Sequence, residues 1–166
     1  DLKALNVAAK ILIFIVLVAA FDLLLGYTGI VSFAHTMFFG IGAYGIAIAT
    51  TRIGPTWGAI AVGVVGALVL STLLSLAIGL FSLRVRAIFF AMITLAVAAA
   101  FQTLASQLSE WTGGEDGLTF KLPEVLMPSF EPFETEVFGV LIDGKIITYY
   151  LLFVVAVVLF LALLRI

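Results

Sequence analysis

The chain has 166 residues, 64% of them hydrophobic and only 11% charged, with a mean hydropathy of +1.31, whereas soluble domains are roughly half apolar and about a quarter charged. That balance excludes a soluble globular domain, and apolar stretches along the whole length exclude a chain whose one greasy segment is a secretory leader. The net charge of −2 hides an asymmetry: eight acidic and two basic residues fall between 110 and 146, leaving six basic and two acidic elsewhere, and with no cysteine the chain can form neither disulfides nor thiolate-held metal sites.

A helix needs about 20 mostly apolar residues to cross the hydrocarbon layer, and five stretches qualify. The expected fold is therefore all-α, a polytopic transmembrane helical bundle of about five spans with one external loop. The first span runs from Ala4 to Leu25, and Asn6, Lys10 and Asp22 confine its wholly apolar part to Ile11 through Phe21. Asp22 is the only acidic residue inside an expected span. Ionisable groups in a bilayer are costly and count as functional candidates by default, yet Asp22 stands within a turn of the expected cytoplasmic end. A buried functional role and anchoring at the headgroups, near Arg84 and Arg86, both remain open.

The second span, Ile30 to Thr50, belongs to the most informative stretch, LLLGYTGIVSFAHTMFFGIGAYGIAIA at 23–49. Gly26, Gly29, Gly40, Gly42 and Gly45 would each cost an isolated helix about 1 kcal/mol relative to alanine, but in a bilayer they let neighbouring backbones approach closely. Ser32, His35 and Thr36 carry hydrogen-bonding groups that lipid cannot satisfy, so they should face protein or a wet cavity. A broken or re-entrant path is an alternative to a straight crossing. His35, Gly42 and Ala49 fall within about 40° of one another at 100° per residue. His35 is thus either part of a polar pathway or proton-sensitive latch, since imidazole titrates near neutrality, or a neutral group that fixes helix packing.

In the third span, Trp57 to Leu83, the small residues Ala59, Gly63, Ala67, Ser71, Ser75 and Gly79 recur at every fourth position. Four residues turn a helix by about 400°, so this ridge winds around the helix and suits an oblique, close crossing. The tight SLRVRA connection that follows holds Arg84 and Arg86 and marks the cytoplasmic side by the bias of lysine and arginine. Residues 51–56 and 109–146 then lie outside and Arg165 inside, while Lys3, Lys10 and Arg52 run mildly against the bias. The fourth span, Ala87 to Leu108, carries Thr94, Gln102, Thr103 and Ser106 on an alanine-rich helix. Helix packing is the expected role of these groups, with Thr94 and Gln102 kept as pathway candidates.

The loop from Ser109 to Lys145 is the one sizeable polar portion. Pro123, Pro128 and Pro132 forbid a long helix through it, WTGGEDGL offers turn chemistry at its start, and IDGK a hairpin-type turn near its end. About 37 residues cannot bury a useful core alone, so the loop should pack on helix ends or on a partner. Gly113, Gly114, Glu115, Asp116 and Gly117 form its candidate docking element. A fifth span, Ile147 to Leu164, completes one transmembrane domain over 1–166.

Enzymatic chemistry finds no support. Ser32 and His35 stand three residues apart on one expected helix, but that spacing does not establish an aligned nucleophile and base. There is no GxSxG, HExxH or phosphate-binding GxxxxGK[ST] pattern, and a single histidine leaves no histidine-rich metal site. No metal or other cofactor is expected, and the scattered basic residues make no nucleic-acid surface. The ridge alone would also suit a non-transporting membrane scaffold.

Three motifs nonetheless stand in order. LLLGYTGIVSFAHTMFFGIGAY (23–44) resembles the signature N-L-L-x-G-Y-x-G-x-x-S-x-x-H-x-x-F-x-G-x-G-A-Y of the permease subunits of branched-chain (hydrophobic) amino acid ABC importers, specifically their M-type member. LRVRAIFFAMITLA (83–96) is similar to that family's cytoplasmic turn and following helix, and TGGEDGL (112–118) to its external TGG-x-x-GL motif. Urea and short-amide permeases share the pattern. The resemblance implies a multi-pass protein of a prokaryotic cytoplasmic (inner) membrane. Its partners would be a second, H-type permease subunit, two cytoplasmic ATPase subunits that hydrolyse ATP, and a periplasmic or extracellular solute-binding protein. Asp22 departs from the pattern, standing where the family usually has asparagine. Family members also continue past the equivalent of LLRI into an ATPase-coupling loop, so the chain looks like an incomplete permease, expected not to transport alone.

Overall fold

A computed structural model describes residues 2–82, 84–127 and 144–166. Five long helices dominate: α1 (Leu2–Thr28), α2 (His35–Ile53), α3 (Trp57–Ser82), α4 (Ala87–Gln107) and, after the one-turn helix α5 (Ser109–Thr112), α6 (Gly144–Arg165). Two short 3₁₀ turns lie at Gly114–Asp116 and Glu124–Leu126. No strand occurs among the described residues, and all five long helices have the length and apolarity to cross a bilayer. The expected all-α, multi-span class is therefore observed. The IDGK turn at its first two residues, and the breaks assigned to Pro128 and Pro132, lie outside the described residues.

The helix limits differ from the apolar runs where polar chemistry intervenes. At 27 residues, α1 would reach about 40 Å, and neither Lys10 nor Asp22 interrupts it. α2 starts at His35, five residues after the apolar run begins, and continues unbroken for 19 residues, about 28 Å. Its glycines do not break it. Pro55 and Gly54, the latter at φ +113°, end α2, and the Thr56 hydroxyl accepts the Ala59 N–H at 3.2 Å to start α3, a standard N-cap.

The chain divides into two compact units, Asp1–Gly26 with Leu122–Ile166, and Tyr27–Lys121. In the first, the Glu124–Leu126 turn packs on the start of α6. A Cβ on the buried Gly144 would lie 1.6 Å from the Met127 carbonyl oxygen, so this position admits only glycine. The Thr148 hydroxyl reinforces the junction, with the carbonyls of Gly144 at 2.7 Å and Leu126 at 3.2 Å as acceptors.

In the second unit, α2 and α3 form a hairpin whose backbones touch. A Cβ on Gly45 would stand 2.9 Å from both the Gly63 carbonyl oxygen and the Ala67 Cβ, and one on Gly63 would stand 2.7 Å from the Gly45 carbonyl oxygen. Ala59, Gly63 and Ala67, the first half of the small-residue ridge, are buried in this seam. Around it lies a small core of Ala34, Met37, Ile41 and Ala67, against which Phe38, Leu74, Val97 and Phe101 pack. Most other large apolar side chains are exposed, Leu73 by 61% and Leu80 by 67%. In water that would be untenable; for helices apolar on every side it is the surface presented to lipid or to other helices.

Candidate functional site

Three contacts tie α2 and the turn before it to α4 and to α5, the one-turn helix that follows it. The Phe33 N–H, just before α2, meets Thr94; Gly40 approaches the Phe101 ring, whose Cε1 would be 3.3 Å from a Cβ there; and Arg52, near the end of α2, meets Glu110 and Trp111. Both partners advance together along the chain, so α2 and α4 run parallel, with α3 returning between their ends in sequence.

The first of these contacts closes one end of the site. Gly29, at φ +65°, takes the left-handed conformation that disfavours other residues and turns the chain out of α1. The buried Ser32 accepts the Ala34 N–H at 3.3 Å. Thr94 is fully buried; its hydroxyl accepts from Phe33 N–H at 3.1 Å and donates to the Ala91 carbonyl at 2.9 Å. An unpaired backbone group costs several kcal/mol in hydrocarbon, and in this non-helical segment Thr94 serves the Phe33 N–H as Thr28 and Ser32 serve those of Ile30 and Ala34. His35 opens α2, half-buried, with its Nδ1 enclosed by protein.

The opposite end is held by the loop that follows α4. The Arg52 guanidinium donates to the Glu110 carbonyl at 3.1 Å and lies 4.7 Å from the centre of the Trp111 ring, a cation–π contact. Thr112 is buried; its hydroxyl donates to the carbonyls of Ala105 and Leu108, the latter at 2.8 Å, and accepts the Gly114 N–H at 3.3 Å. Gly113, Gly114 and Gly117 have φ of +77°, +64° and +75°. At Gly113 a Cβ would also fall 2.0 Å from the Gly117 carbonyl oxygen, so backbone and space demand glycine together. This fold of the loop presents Glu115 and Asp116 to the exterior, both exposed.

Between the two ends, α2 and α4 line an open cleft of about 550 Å³. Phe33, Met37, Leu95 and Phe101 give it apolar walls, while Thr36, Tyr44, Gln102, Ser106 and Gly114 add polar groups along it. No charged side chain lines it. The arrangement has no paired nucleophile and base; the Ser106 hydroxyl, for one, donates to the Thr103 carbonyl at 2.9 Å. What it offers is an open, uncharged cleft with both apolar walls and neutral hydrogen-bonding groups, and a polar group leaves water without penalty only where hydrogen bonds replace that water.

The candidates read from sequence thus separate. Ser32, His35 and Thr94 gather at the turn before α2, where Thr94 and Ser32 satisfy backbone groups. Gln102 and Gly114 line the cleft, and Gly113, Glu115, Asp116 and Gly117 form the loop over α4. Asp22 is exposed on the α1 part of the other unit. Two residues went unrecognised. Tyr44 carries a signal, lying eight residues beyond Thr36 as Ser106 lies four beyond Gln102, spacings that keep polar groups on one helical face. Arg52 carries none, because its partner ring is 59 positions away.

A family model described as "Branched-chain amino acid transport system / permease component" matches residues 3–165. Comparisons with curated proteins and with solved structures gave no match.

Proposed function

The chain belongs to the family of branched-chain amino acid transport system permease components, and from that membership we propose that it forms part of the solute pathway of an ABC importer for branched-chain or related neutral amino acids. Membership makes it a multi-pass membrane transport component rather than an enzyme. The observation that carries the pathway reading is the neutral α2–α4 cleft, polar along Thr36, Tyr44, Gln102 and Ser106 and apolar along Phe33, Met37, Leu95 and Phe101. A zwitterion with a hydrocarbon side chain bears no net charge and needs both kinds of wall.

In this reading the chain is the M-type subunit, paired with an H-type permease in a prokaryotic inner membrane. A solute-binding protein delivers solute at the Gly113–Gly117 side, and paired ATPases act from the side of Arg84 and Arg86. Arg52 supports the sidedness: near the end of α2 it is bound to Glu110 and Trp111, so its departure from the positive-inside bias has a local cause.

The test is uptake by the assembled transporter. Gln102→Leu combined with Tyr44→Leu removes two hydrogen-bonding groups; a bond to a charged ligand group contributes about 1.5–3 kcal/mol, so KM for the solute should rise roughly tenfold or more. Thr103→Ala, at a side chain that bonds to the Ala99 carbonyl instead of lining the cleft, should leave KM unchanged. Unaltered uptake in the double variant would remove the cleft from the pathway.

A further inference from the structure

A second groove lies beside the first, sharing Tyr44, Phe101 and Ala105 with it; it is formed by α2, α3 and α4 and ends at Arg52. Its volume is about 560 Å³, and its lining is apolar apart from one end. The floor is made by Gly63, Gly66 and Ala67 of α3, and Leu70 marks its deep end. At the polar end stand Arg52, Trp111 and the rim of α5.

We propose that this groove is a phospholipid site, in which one acyl chain lies along the α3 floor and the phosphodiester sits at Arg52. Its length argues for an acyl chain over a packed helix. Along α2 the lining runs from Ile41 to Arg52, about 17 Å at 1.5 Å per residue, or roughly half of the 30 Å hydrocarbon layer. A transmembrane helix would need a seat through the full thickness, whereas a lipid tail occupies one leaflet. The charge pattern agrees. The sole cation stands at the interfacial end, beside a tryptophan of the kind enriched at headgroup level, and nothing charged follows deeper in. Arg52 is exposed and has one N–H engaged with the Glu110 carbonyl; a guanidinium has five, and its planar fork suits a phosphate. Finally, a Cβ on Gly66 would meet nothing within 4 Å, so the trough is open where the tail would lie.

The experiment places a photo-reactive benzoylphenylalanine at Leu70 in the transporter assembled in its own membrane, with a control at Leu73, which is exposed elsewhere on α3. Mass spectrometry of the irradiated product should find a phospholipid adduct at both positions. Arg52→Gln should lower the Leu70 adduct several-fold and leave the Leu73 adduct unchanged. Gly66→Leu, which fills the trough while keeping Arg52, should lower it likewise, and Arg52→Lys should restore most of it. A protein adduct at Leu70 would mean that a neighbouring helix fills the groove, and a Leu70 adduct indifferent to both Arg52→Gln and Gly66→Leu would mean bulk lipid only; either result overturns the proposal.

Discussion

Single hydroxyls and single glycines carry much of the second unit. Thr94 serves one donor and one acceptor with the same oxygen, so Thr94→Val should cost about 1–3 kcal/mol by stranding the Phe33 N–H. Thr94→Ser should recover most of it, and unfolding of the detergent-solubilised transporter monitored by denaturant titration would measure both. Gly113→Ala faces a left-handed φ and a 2.0 Å approach to the Gly117 carbonyl, so the loop must refold; faster proteolytic cleavage within residues 113–121 is the expected sign. These roles were only partly legible in sequence. The glycines of TGGEDGL announce a turn, because only they take positive φ at little cost. The Thr94 bond crosses 61 positions, and no local pattern encodes it.

At the scale of the helix, the α2–α3 seam makes a sharp distinction between glycines. Gly45→Ala and Gly63→Ala place a methyl group against backbone less than 3 Å away, and overpacking of this kind typically costs about 1–3 kcal/mol. Gly42→Ala and Gly66→Ala meet nothing and should be neutral or stabilising by up to about 1 kcal/mol through helix propensity. Thermal stability of the four variants side by side checks the contrast; equal losses would mean that the seam is not where the helices press. The ridge on α3 was readable in sequence, but only its first half packs on α2. Each four-residue step advances about 40° beyond a full turn, so Ala59, Gly63 and Ala67 share a face and Ser75, two steps further, has rotated away and is exposed. The start of α2 was misplaced by five residues for a complementary reason: Ile30–Ala34 is apolar enough to be helical, and the tertiary Phe33–Thr94 bond together with local bonds to Thr28 and Ser32 holds it out.

For the whole molecule, the length of the apolar runs was sufficient to count the long helices described, since a bilayer imposes one dimension on all of them. They were insufficient to separate groups lining the cleft from groups that merely bond within a helix, as Gln102 and Thr103 demonstrate. The proposed docking of a binding protein belongs to this scale as well. Glu115→Lys with Asp116→Lys reverses the exposed charge without touching Gly113, Gly114 or Gly117, so the transporter should still assemble while its affinity for the binding protein falls and loses its dependence on salt; unchanged affinity in a pull-down titration would remove the loop from that role.

The parallel pair α2 and α4 is tied near both ends, through Phe33 of the preceding turn to Thr94 and through Arg52 to Trp111 of α5. Two parallel beams joined at both ends resist sliding past one another. The pair should therefore keep its register, so that a change in the size of the cleft would come from side-chain rotation at Met37, Tyr44 and Gln102 instead of from sliding of the helices.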